Sequence, residues 1–237
     1  MLRRLLRLAV AAVVAVLLVL ALGWAGLRWV LPHYRPALED GERYGIDVSV
    51  HQGRIDWRAV AGDGIEVAYL KASEGSTFVD DRFAENWEAA REAGVGVGAY
   101  HFFTLCKEGT EQAANLLGRL RAVGADASTS LPPVVDLELS GNCAARPPAE
   151  VVQRRLTDFV STVEAGTGQR VRLYALGDFT ERYPLPTALE DRERWVRRLV
   201  LRPSDDGWAW WQVSSRARVA GIDGPVDLDV VAPDRRP

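Results

Sequence analysis

Apolar and polar positions fall into three regimes along the chain. Residues 8–27, LAVAAVVAVLLVLALGWAGL, are apolar on every side and carry no charge. At 1.5 Å per helical residue, such a run matches a hydrocarbon core of about 30 Å, which predicts a membrane-spanning helix over 8–30. Beyond residue 42, strand-like apolar runs alternate with amphipathic ones. Period-two alternation predicts strands at 44–50, 66–72, 95–103, 133–139 and 170–175. Helical spacing predicts helices at 56–61, 81–93, 110–123 and 149–165, with Asp80 placed to cap the second and Gly94 after its end. The final third differs. Short apolar runs at 194–201, 208–213 and 226–231 have little helix between them. Repeated strand–helix units imply parallel strands joined by crossover helices. Five such units and three helix-poor strands predict an α/β fold, a TIM-like barrel of (β/α)5(β)3 type, preceded by an N-terminal transmembrane helix.

The flanks of the apolar run set the expected topology. Arg3, Arg4 and Arg7 precede it, which places residues 1–7 in the cytoplasm, and Trp24 and Trp29 suit the far interface. A cleaved signal peptide competes with the anchor at 8–30, because Ala21-Leu22-Gly23 offers a small-x-small site. Residues 31–42 read as a polar linker and 43–237 as the barrel. Of 29 basic side chains five lie before residue 37, where there is no acid. The remainder, 24 basic and 32 acidic, sums to −8, a sign that repels a phosphate backbone, so nucleic acid is not an expected partner. An exported domain would carry Cys106 and Cys143 in an oxidising compartment, where one bridge between loops is expected.

Candidate chemistry lies on the predicted strands. In VVDLELS, Asp136 and Glu138 share one face while Val135, Leu137 and Leu139 share the other. Packing the apolar set on outer helices sends both carboxyls inward near the strand's C-terminal end, where barrel enzymes keep their active sites. Their backbones are about 6–7 Å apart, so ionising one raises the proton affinity of the other. A protonated carboxyl beside an ionised one can cleave a glycosidic bond. In YGIDVSV, Asp47 also points inward. Tyr100, in GAYHFF, and the stretch WAWWQV, with Trp208, Trp210, Trp211 and Gln212, offer rings and an amide that suit a sugar groove. The three histidines lack zinc-helix spacing, and no G-x-S-x-G elbow, dinucleotide fingerprint or phosphate loop occurs, so no metal or cofactor is expected.

Taken together, GIDVSVHQGRIDW, YLKASEGSTFVDDRFAENWEAAREAGVGVGAYHFF, EQAANLL, LPPVVDLE and WAWWQVSSRARVAGIDGPVDLDVV resemble glycoside hydrolase family 25, the Chalaropsis-type lysozymes, over about residues 44–231. The resemblance implies hydrolysis, without a cofactor, of the β-1,4 bond between N-acetylmuramic acid and N-acetylglucosamine in peptidoglycan. Carried over, Glu138 matches the general acid, Asp136 its neighbouring acid and Asp47 the first-strand acid. Asp227 matches a cleft-floor acid, and Tyr100 and Tyr174 match groove aromatics. The motif leaves open a covalent glycosyl-enzyme or participation of the substrate's acetamido group, and the D-x-E pair suits the second. LYALGDF and RWVRRLVLRP depart from the family pattern at rim positions. Expected partners are peptidoglycan glycan strands and a membrane, with the protein a monomer. A non-catalytic sugar-binding barrel and a metal-dependent phosphodiesterase are the competing readings. The former has no use for all three acids, and the latter wants more inward histidines. Cys106 and Cys143 follow the third and fourth barrel strands, which predicts a disulfide between them.

Overall fold

The computed structural model describes residues 2–204 and 207–233. The expected limits at Met1 and Pro237 lie outside the described residues. The chain divides into two units, Met1–Arg35 and Pro36–Pro237. In the first, helix α1 spans Leu2–Val30, followed by a single 3-10 turn at Leu31–His33. It is long and apolar enough to cross a membrane, by length and composition, and a signal sequence has the same properties. Residues 36–42, which read as linker, belong to the second unit. The Tyr44 hydroxyl donates to Pro36 O at 2.6 Å, and Arg202 reaches Ala37 O at 3.1 Å and the Glu42 carboxylate at 2.5 and 2.9 Å.

The second unit is a closed barrel of eight strands. In chain order these are β1 (Arg43–Val48), β2 (Ile65–Glu74), β4 (Gly96–Phe102), β5 (Val134–Leu137), β6 (Arg172–Ala175), β7 (Arg194–Arg197), β8 (Trp208–Ala217) and β9 (Val226–Val231), with β3 (Phe78–Val79) a short hairpin partner of β2. Helices α2 (Trp57–Gly62), α3 (Phe83–Glu92), α4 (Gly109–Ala122), α5 (Ala149–Thr167) and α6 (Gly177–Arg182) complete five strand–helix units before three strands with, among the described residues, no α-helix between them. Neighbouring strands are parallel from β1 through β8, whereas β9 runs antiparallel to both β8 and β1 and closes the barrel. The sequence pattern missed α6, which is only six residues long, and ended β8 four residues early. Asp80 acts at a turn rather than as the helix cap. Its Oδ1 accepts from Arg82 N at 2.9 Å and its Oδ2 from Val50 N at 2.7 Å, and α3 begins at Phe83.

Alternation along the strands builds two separate apolar zones. Ile46, Val48, Leu70, Val97, Val135, Leu137 and Leu173 face outward into one core with Leu116, Leu156, Phe159 and Val163 of α4 and α5. Inside the barrel Tyr69, Trp195 and Trp210 pack ring to ring, with centroids 4.6 to 5.3 Å apart. Two inward glycines make room for them. A Cβ at Gly45 would meet Trp210 at 2.9 Å, and one at Gly98 would overlap the Tyr69 ring. At the barrel's lower end Tyr69 Oη donates to Pro132 O at 2.8 Å and accepts from Arg172 Nη1 at 3.0 Å. His101 faces outward in the main core. Its Nε2–H donates to Gln112 Oε1, Ser73 donates to its Nδ1, and burial pushes its pKa down to about 3, so it stays neutral.

Loops after β4 and β5 are joined by the Cys106–Cys143 disulfide, which closes 37 residues. Asn142 clamps the same loops. Its Oδ1 accepts from Leu105 N at 2.9 Å while its Nδ2 donates to Phe103 O and Glu138 O at 2.8 and 3.0 Å.

Two stability measurements check this packing. Gly98→Ala should lower the unfolding free energy in urea by about 1–3 kcal/mol, the cost of overpacking a filled interior. Paired Cys106→Ser and Cys143→Ser should cost up to about 3–4 kcal/mol through the lost loop constraint.

Candidate active site

Inward positions at the C-terminal rim of the barrel are acidic. Asp47 lies at the end of β1, Asp136 near the end of β5 and Glu138 just beyond it. Asp227 comes from the start of β9, which reaches this rim because that strand runs against the others, and it sits directly across from Asp47 in the β1–β9 register. These four carboxyls, with Tyr100, Val134, Tyr174, Trp195 and Gln212, line an open cleft. All four acids are half-buried.

Of the residues singled out in the sequence, the structure brings together Asp47, Asp136, Glu138, Asp227, Tyr100, Tyr174 and Gln212. Trp210 it does not. Expected at the groove, Trp210 has 0% exposure and lies among the interior rings, where the inward face of β8 is still deep in the barrel. Gln212, two residues on, is the first β8 side chain of that face to reach the cleft. Trp211 turns outward, its indole donating to Arg198 O at 2.7 Å, and Trp208 packs against it. The indole that does line the cleft is Trp195 of β7, which the sequence reading missed. The strand itself was expected within 194–201, but the arginines around Trp195 in RERWVRR gave no sign that its ring turns inward. Asp229 was missed too, although it alternates with Asp227 in VDLDV. It is fully buried, and its Oδ1 accepts from Trp195 Nε1 at 2.9 Å.

The electrostatics follow from the dry floor. Burial, then the like charges of Asp227, Asp229, Asp136 and Glu138, raise the proton affinity of Asp47 well above the carboxylate range. Burial and Glu138 raise Asp136 likewise, opposed by Lys71. Glu138 is raised by burial and held back by Arg197 and by contact with Tyr174. Asp227 is raised to about 6 by burial against the pull of Arg197, and Asp229 by burial and Asp227. Tyr174 Oη donates to Gln212 Oε1 at 2.9 Å, and Gln212 in turn contacts Asp227. Lys71 pairs with Glu74 at 2.7 Å, whereas Arg197 is exposed. Among the described residues no cluster of ligating side chains could hold a metal ion.

A barrel rim that gathers proton-holding carboxyls around an open cleft has the equipment of a glycosidase. The family model described as glycosyl hydrolases family 25 matches residues 46–222. Similar proteins include "Uncharacterized protein YegX" of Escherichia coli (strain K12), 35% identical over 195 residues, 79% of this chain and 68% of that protein. Lysozyme M1 of Streptomyces globisporus is 33% identical over 198 residues, 77% of this chain and 65% of that protein. The solved structure of a family 25 glycosyl hydrolase from Bacillus anthracis superposes with a TM-score of 0.74 at 30% identity, covering 86% of this chain and 94% of that one. The chain belongs to glycosyl hydrolases family 25, and its activity is that of a glycoside hydrolase.

Raised carboxyls make stability pH-dependent with a definite sign. Folded Asp227 binds its proton more tightly than the unfolded chain does. Its contribution is therefore complete below its ordinary value of 3.8 and is lost as pH rises through about 6. Between those limits the wild type should lose more unfolding free energy than Asp227→Asn, as read by urea melts. An equal loss in both would contradict the raised value.

Proposed function

We propose that this chain hydrolyses peptidoglycan as a muramidase, cutting the β-1,4 bond between N-acetylmuramic acid and N-acetylglucosamine. The observation that carries the reading is the pairing of Asp136 near the end of β5 and Glu138 just past it, one deep and one at the rim, both lining the cleft. Similarity to proteins named lysozyme M1 and autolytic lysozyme supports the choice of glycan.

In this reading Glu138 is the general acid. It sits nearer the mouth, where a glycosidic oxygen can reach it, and burial raises its proton affinity above that of an ordinary glutamate, which favours the loaded acid. Asp136 lies deeper, where burial and Glu138 raise its proton affinity against the pull of Lys71; the two carboxyls share the proton that the reaction needs on Glu138, and Asp136 then carries the charge. The substrate's 2-acetamido oxygen attacks the anomeric carbon as the C–O bond to the leaving sugar breaks. Glu138 gives its proton to the departing oxygen, and Asp136 stabilises the positive charge that builds on the acetamido nitrogen. Glu138, now a carboxylate, takes a proton from water as that water adds to the anomeric carbon and the ring formed by the acetamido group reopens. Configuration is retained. Asp47 and Asp227 hold the reacting ring from the opposite wall. Tyr100 and Tyr174 flank it, and Gln212 orients Asp227. The apolar helix α1 holds the barrel at a membrane as a single-pass anchor, with the catalytic unit outside the cytoplasm.

Digestion of purified sacculi, with mass spectrometry of the fragments, tests the reaction. Products should end in reducing N-acetylmuramic acid. Anhydro-muramic ends, or binding without release, would contradict it. Glu138→Gln should lower the rate by about 10²–10⁴-fold while leaving thermal unfolding close to wild type.

A further inference from the structure

The proposed reaction leaves Asp229 unused, although this carboxyl is fully buried and close to the cleft. Its Oδ1 takes the Trp195 indole N–H at 2.9 Å. It also stands in hydrogen-bonding contact with Asp47, and Asp47 in contact with Asp227. Yet Asp47 Oδ2 and Asp229 Oδ2 are both buried without a donor. Neither residue forms an ion pair among the described residues. Facing carboxylate oxygens are acceptors only, so their contact is repulsive unless a proton lies between them. The surroundings sharpen this. From β5, Asp136 and Glu138 face Asp47; from β9, Asp227 and Asp229 do; from β4 the phenol of Tyr100 does. Lysine and arginine act elsewhere, Lys71 on Asp136 and Glu138, and Arg197 on Glu138 and Asp227.

We propose that Asp229, Asp47 and Asp227 form a directed chain of three carboxyls held by two protons, with Asp229 as the positioning residue for Asp47. Asp229–H donates to Asp47, and Asp47–H donates to Asp227. The single negative charge then rests on Asp227, at the end nearest Arg197. Asp229 cannot rotate away, because the Trp195 indole fixes its other oxygen. Asp47 thus presents a neutral carboxyl of fixed orientation to the cleft, and the dry floor bears no second charge. The functional weight of this positioning rests on the hydrolase reading, whereas the proton count does not.

Infrared spectroscopy of the full chain at neutral pH, in heavy water, reads the proton count from the carbonyl stretch of protonated carboxyls. Asp229→Asn keeps the acceptor for Trp195 and offers Asp47 an amide donor. It should remove one protonated-carboxyl band, retain part of the hydrolysis, and move the alkaline limb of the pH profile upward, since an amide proton is not lost. Asp229→Leu leaves Asp47 without a donor and should be about ten- to a hundredfold slower than the asparagine variant. Thermal unfolding of both variants checks that they fold. An unchanged band in Asp229→Asn would overturn the proton chain, and so would a leucine variant as active as the asparagine one. Loss of the band in a protein whose wild type releases nothing from sacculi would support the chain and sink the muramidase reading alone.

Discussion

Desolvation of the rim carboxyls is the constraint on which the rest of this barrel depends. Tyr69, Trp195 and Trp210 fill the interior directly below the acids, and the Tyr69–Arg172 contact seals the lower end. Water therefore reaches Asp47, Asp136 and Asp227 only from the cleft. In a site open from both sides the same acids would titrate with ordinary surface carboxylates and none would hold a proton near neutrality. The ring packing in turn requires Gly45 and Gly98, whose missing side chains leave the rings their space. Two glycines on β1 and β4 are thus linked through three aromatic rings to the proton affinity of groups at the rim.

Strand direction does the rest. Seven parallel strands deliver their last residues to the rim, and β9, running the other way, delivers its first. This is how Asp227 comes to sit across from Asp47 although their positions are 180 residues apart. The loops are held with matching care. The Cys106–Cys143 bridge and the Asn142 side chain bind the β4 and β5 loops to each other, and Asn142 also holds the carbonyl of Glu138. The Glu138 carboxyl is thus fixed through its backbone as well as by Tyr174.

Much of this was legible in the sequence, and the limits have physical causes. Period-two alternation told which residues face inward on β1 and β5, and so singled out Asp47, Asp136 and Glu138, whereas Asp227 came from the family resemblance. Alternation carries no information about height within the barrel. That is why Trp210 reads like a groove residue but serves as floor, while Gln212 two positions later lines the cleft. Trp195 lies on a strand that the sequence foretold, yet that strand is four residues long and flanked by arginines, so which of its side chains turns inward was not readable. Asp229 carried a readable signal, the same spacing as the D-x-E of β5, but nothing in the sequence tied it to the Trp195 indole. Residues 36–42 read as linker because they are mostly polar and unpatterned, and their ties to the barrel, through Arg202 and Tyr44, come from positions far away in the chain or just past the segment.

The dry floor holding a proton on Glu138 is the central claim, and carboxyl-carbon NMR of a chain labelled at glutamate tests it most directly. Glu138 should titrate above its ordinary value of 4.5 and fall back toward that value when Trp210→Ala opens the floor to water. A Glu138 signal that titrates with the surface glutamates in the wild type, or that ignores the loss of Trp210, would contradict it.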